Sequence, residues 1–200
     1  MPSHPPVPPP PPPPLGGSHI SGAARGIQQP TPPPVSLEGP TGAFLLELLI
    51  YNGAPFKDHW ALWVRSHGHP DVGVTIHATG DVKNGFQLEI KRSHDLRHTT
   101  IKPAKRIPLQ WIDGKYCNES AMFNHGKRKL DTVPVCALEA SLHKIRPPGG
   151  SLNTVDNQDV RGKKVTQRNC QTWIVESTDQ LVIDRIIAPS IVAYLRAIEQ

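Results

Sequence analysis

Apolar and polar positions alternate on both sides of a Ser-His-Gly-His-Pro-Asp segment, in HWALWV (59–64) and VGVTIHAT (72–79), and the pattern predicts a β-hairpin. Centring the turn on Gly68 pairs Trp60 with Ile76, Leu62 with Val74 and Val64 with Val72, all of them apolar. His59, Ala61, Trp63, Thr75 and His77 then share the other face. This register sets His59 directly opposite His77, with Cβ atoms about 4.5–5.5 Å apart. A slip of one residue would scatter the apolar pairs, so the pattern opposes it.

The run AFLLELLIY (43–51) is too short and too uniformly apolar for an amphipathic helix and predicts a buried strand, ended by Asn52-Gly53 and Pro55. FQLEI (86–90) alternates and predicts another strand, as does the stretch 108–112. Over 135–143, Cys136, Leu138, Ala140 and Leu142 alternate with polar neighbours and favour strand, although Leu138, Leu142 and Ile145 also suit a helix. A polar loop is expected from Pro147 to Gln167. Beyond it the period changes. Ile174, Leu181, Val182 and Ile186 fall on one helical face, Asn169 suits the N-cap, and Cys170 enters the first turn. Pro189 stops this helix, and a short second one is expected from Ser190 to Ile198. The expectation is an α+β domain: an antiparallel sheet with a packed C-terminal helix.

Composition narrows where that domain begins. Residues 1–40 hold 15 of the 23 prolines, including an unbroken run from Pro8 to Pro14, with one acidic and one basic residue. Such a segment has too little apolar surface to offset its ordering entropy and reads as a polyproline II or disordered leader, so residues 41–200 form the expected domain. A polyproline-binding domain is a candidate partner for the leader. The leader lacks a signal-peptide pattern, and no segment is long and apolar enough for a membrane span. The expectation is therefore a soluble cytoplasmic or nuclear protein, in which three cysteines make a poor disulfide framework.

Charge changes the picture little. The net charge is +5, and Lys127-Arg128-Lys129 and Arg161-Gly162-Lys163-Lys164 are candidate phosphate contacts. Gly and polar neighbours without aromatic interleaving make them read as solvated loops, and a nucleic-acid partner is not expected. His67 and His69 flank Gly68, yet with His59 and His77 they match no zinc spacing. Neither a metal nor a cofactor is expected.

The chemistry centres on NCQTW (169–173). A thiol reacts as the thiolate, and its ordinary pKa near 8.5 leaves little of it at neutral pH. A helix start favours an anion and offers free amides to an oxyanion, while a nearby imidazole takes the proton. His59, His77 and Cys170 supply these parts, with Asp81 or Thr79 as other candidates for the orienting role. Trp60, Gln171 and Trp173 are the candidate substrate-binding residues, although the tryptophans also suit a core.

The boxes HWALWV, GVTIHATGD and NCQTWIVE resemble the His, second His and Asn-Cys boxes of the lecithin:retinol acyltransferase-like proteins, in the permuted NlpC-type branch of the papain-like superfamily. The chain also resembles fungal proteins that carry the same HWAL and NCQ-W boxes. The resemblance implies a permuted papain-like fold, with Cys170 as nucleophile through a thioester, His59 as base and His77 as orienting residue. It spans roughly residues 43–188. The family's acyltransferases carry Glu-His-Phe where this chain has Gln171-Thr172-Trp173, so peptide, isopeptide and acyl-lipid substrates all stay open. The alternative is a non-catalytic binding module on the same scaffold, recruiting partners through the leader or a basic face.

Overall fold

The computed structural model describes residues 30–150 and 167–200. The greater part of the proline leader, including Pro8–Pro14, lies outside the described residues, as does the cluster Arg161–Lys164. Six strands form one antiparallel sheet: β1 (Phe44–Tyr51), β2 (His59–Arg65), β3 (Val72–Asp81), β4 (Gly85–Asp95), β5 (Lys105–Ile112) and β6 (Lys129–Asp131), in spatial order β5-β1-β2-β3-β4-β6. The helices are α1 (Glu119–Met122), α2 (Ala137–His143), α3 (Cys170–Ile183) and α4 (Pro189–Ile198). None is long and apolar enough to cross a membrane among the described residues.

The sheet has two unlike faces because side chains alternate along each strand. Leu46, Leu48, Trp60, Leu62, Val74 and Ile76 join the residues of α2, α3 and α4 in the main core. On the other face a small cluster gathers Leu49, Ala61, Trp63 and Leu96, with Tyr51 against it. Leu96 opens a single helical turn, Leu96–His98, that follows β4. His59 and His77 belong to this second face.

The β2–β3 hairpin forms with a different register from the one expected. Leu62 pairs with Ile76 and Val64 with Val74, a slide of two residues. A two-residue slide leaves every side chain on its own face, so apolar pairing alone does not separate the two registers. The backbone decides it: Ser66 N–H donates to the Val72 carbonyl at 2.9 Å and Val72 N–H to that of His69 at 3.1 Å. The turn is thus centred one position later than Gly68, and His59 and His77 are diagonal rather than directly opposed.

The stretch expected as strand 135–143 is instead helix α2. Alternation misled because Glu139 and Ser141, read as outward polar positions, are as buried as Leu138 and Leu142. Glu139 receives the fully buried Arg92 of β4 in a two-pronged ion pair (2.9 and 3.0 Å), and Ser141 Oγ donates to Asp184 at 2.6 Å. Four inward positions at helical spacing make one helix face. Further along, Asn169 caps α3 as expected: its side chain accepts from the Gln171 and Thr172 amides, and Thr172 Oγ1 returns to the Asn169 N–H. Helix α3 ends at Ile183, so Ile186 packs into the core from beyond it. Pro189 stands in the first turn of α4, where its missing N–H costs nothing.

Candidate functional site

His59 opens β2 with its side chain on the face opposite Trp60. The diagonal placement brings the two imidazoles into contact: His59 Nε2 lies 2.7 Å from His77 Nδ1, and His77 Nε2 lies 2.9 Å from Glu89 Oε1. Glu89 also holds Lys91 Nζ at 3.2 Å. His77 and Glu89 are direct partners on β3 and β4, and the bonds of Glu89 to His77 and Lys91 hold its carboxyl down at about 2.

With both rings uncharged, the contacts assign the protons as follows. A carboxylate only accepts, so His77 donates through Nε2 and its Nδ1 is left as acceptor. His59 therefore donates through Nε2, which leaves its Nδ1 unprotonated as the free end of the relay. Burial first, then repulsion from His77 once that ring too is protonated and from Lys91, pushes the His59 pKa down to about 4, with Glu89 partly offsetting this. The ring is uncharged at neutral pH.

Cys170 occupies the first position of α3 and is buried at 7 % exposure. Its Sγ lies against the main chain beside His59, 4.0 Å from the Asp58 carbonyl oxygen. No hydrogen bond joins the sulfur to either imidazole among the described residues. Burial pushes the Cys170 thiol above its ordinary pKa, against a smaller opposing pull from the backbone N–H groups of Trp60, Gln171 and Cys170 itself. The helix start thus fails to make a thiolate, because desolvation exceeds the favourable dipole. With the thiol raised by burial and the imidazole lowered to about 4, the proton stays on sulfur at rest. The resting pair is neutral.

The remaining candidates divide. Asp81 is exposed and caps its own turn, accepting from the Lys83 and Asn84 amides at 2.8 Å, so it does not orient His59. Thr79 lies further along β3, where it pairs with Gln87. Gln171 and Trp173 are fully buried and offer no surface to a substrate, which corrects their assignment as binding residues. Gln171 Nε2 donates to the Asp58 carbonyl at 2.7 Å, and Trp173 Nε1 to that of Ile145 at 2.9 Å, so both are spent in holding the helix start to its surroundings. Trp60 is buried but lines one wall of a cavity of about 660 Å³, together with Asp58, Ile50, Ile107 and Tyr194. Of the helix-start amides proposed for an oxyanion, those of Gln171 and Thr172 are occupied by Asn169. Cys170's own amide is not engaged by that cap.

Sequence reasoning missed Glu89 and Lys91. The signal lay in the Asn84-Gly85 turn: extending the observed ladder from Asp81↔Gly85 sets His77 opposite Glu89. A family model described as "Family of unknown function (DUF6540)" matches residues 46–188, which spans every residue of this relay and the thiol. Neither the curated proteins nor the solved structures contain a match.

Proposed function

We propose, for a chain that belongs to the DUF6540 family of unknown function, a thiol hydrolase or acyl transferase working through Cys170. A single observation carries the reading: the bonded series His59–His77–Glu89 leaves His59 Nδ1 without a hydrogen-bonding partner among the described residues, and the Cys170 sulfur rests on the peptide immediately before that residue. The likeness of its three boxes to lecithin:retinol acyltransferase-like proteins supports the same assignment.

In this reading the Sγ–H proton passes to His59 Nδ1 as sulfur bonds to the acyl carbonyl carbon. His77 stabilises the imidazolium, with Glu89 behind it. The bond to the leaving group then breaks and His59 returns the proton to it. Water or a second acceptor cleaves the thioester and restores the thiol. Because the resting pair is neutral, proton transfer accompanies attack instead of preceding it. Peptide, isopeptide and acyl-lipid donors are the candidate classes.

The buried, raised thiol favours one competing reading, a non-catalytic binding module on this scaffold. Alkylation by iodoacetamide, mapped by mass spectrometry, separates the two. Under the enzymatic reading, His59→Ala slows labelling of Cys170 at least about fivefold and leaves Cys117 and Cys136 unchanged. Equal slowing at all three cysteines, or none, would favour the module.

A further inference from the structure

Strand β4 carries an irregularity that rearranges its basic residues. Thr75 pairs with Lys91 and Gly73 with His94, so two residues of β4 stand against one of β3. Ser93 takes the left-handed conformation, with φ of 46°, as the extra residue of such a bulge does. Simple alternation would send Lys91 and His94 to opposite faces; the bulge returns His94 to the face of Lys91. There His94 Nδ1 meets Thr75 Oγ1 at 2.8 Å. On the other side, β6 sets Leu130 against Lys91, and the preceding residues bring Arg128 and Lys129 alongside. Lys91, His94, Arg128 and Lys129 thereby line one cavity of about 300 Å³.

The acids nearby are already shared. Glu89 serves His77 and Lys91, Asp131 serves Arg92 and Lys129 (2.9 and 3.0 Å), and Glu139 is taken up by Arg92. Arg128 has no acidic or hydrogen-bonding partner among the described residues. The surplus positive charge at the cavity therefore rests on an exposed guanidinium, whose planar fork matches two oxygens of a tetrahedral anion. His94 Nε2 has no hydrogen-bonding partner among the described residues and is open to a ligand, while Nδ1 is held by Thr75 Oγ1. Lys91 and Arg128 both hold the His94 pKa down, behind burial as the larger cause, which reports their field at the ring.

We propose that this cavity binds a phosphate monoester, with Arg128 as its principal ligand and Lys91 and His94 as supporting donors. The site shares Lys91 with the Glu89 end of the histidine series, and binding there does not require the thiol. Phosphate on a soluble ester and phosphate on a lipid headgroup present the same chemistry, and two measurements on the full chain tell them apart.

The first follows the His94 Cε1–H resonance during titration with inorganic phosphate at fixed ionic strength. The second measures retention by phosphatidylcholine vesicles with and without phosphatidic acid. A saturable His94 shift, weakened about tenfold by Arg128→Gln and less than about twofold by Lys127→Gln, is the expected result and assigns a soluble ester. Absence of that shift with Arg128-dependent retention on phosphatidic acid assigns the headgroup. Signals that do not saturate, or that Lys127→Gln and Arg128→Gln reduce equally, reduce the cluster to diffuse charge and overturn the proposal. Thermal melting of both variants checks that they remain folded.

Discussion

Replacing His59 by glutamine keeps a nitrogen donor near His77 while deleting the group that titrates, and the structure gives the size of the effect. Folded His59 has a pKa of about 4 against an ordinary 6.5. As pH falls through 6.5 the unfolded chain takes up a proton that the folded chain refuses until about 4. The contribution to stability is therefore intact above 6.5 and is lost across the window below it. The full gap corresponds to about 3 kcal/mol, and about 2 kcal/mol of it is lost between pH 7 and about pH 5. Glu89, held down to about 2, loses its share in a lower window, beneath 4.5, and does not mask the effect. Urea unfolding of wild type and His59→Gln, followed by circular dichroism at the two pH values, measures it. The variant should gain about 2 kcal/mol on wild type when the pH is lowered to about 5. A difference that changes by less than about 0.5 kcal/mol would show that burial does not hold His59 neutral, and the relay assignment would fail with it.

Two further changes test the scaffold that carries the site. Glu139→Gln leaves the guanidinium of Arg92, itself 2 % exposed, without its main anion and should cost about 3–5 kcal/mol in urea unfolding; a loss under about 1 kcal/mol would contradict a buried pair. Gly73→Ala places a Cβ 2.5 Å from the Trp63 ring and 2.7 Å from the Val64 carbonyl, so thermal melting should show a loss of about 1–3 kcal/mol, whereas an unchanged midpoint would mean the indole is free to move.

Much of this architecture was legible in the chain. The hairpin, the cap of α3 and the placing of His59 and His77 on one face follow from alternation and from Asn169, both local signals, whereas Pro189, expected to stop α3, opens α4 instead. What was not legible depends on long-range partners. Helix α2 read as a strand because Glu139 is buried only by virtue of Arg92, 47 positions earlier. The hairpin register escaped because a two-residue slide preserves faces, and the convergence of Lys91 with His94 escaped because a single bulged residue, Ser93, reverses the count. The thiol gave the largest difference. Its place after an N-cap suggested an acidified sulfur, and burial raised it instead, against the smaller pull of the Trp60 N–H.

The central claim is that Cys170 accepts an acyl group with the help of His59. Incubating the full chain with p-nitrophenyl acetate and mapping the adduct by peptide mass spectrometry tests it most directly. The expected result is a rapid release of nitrophenolate matched by an acetyl thioester on Cys170, abolished by Cys170→Ser and strongly slowed by His59→Gln. An adduct on Cys117, Cys136 or surface lysines alone, with Cys170 unmodified in the native chain, would contradict it.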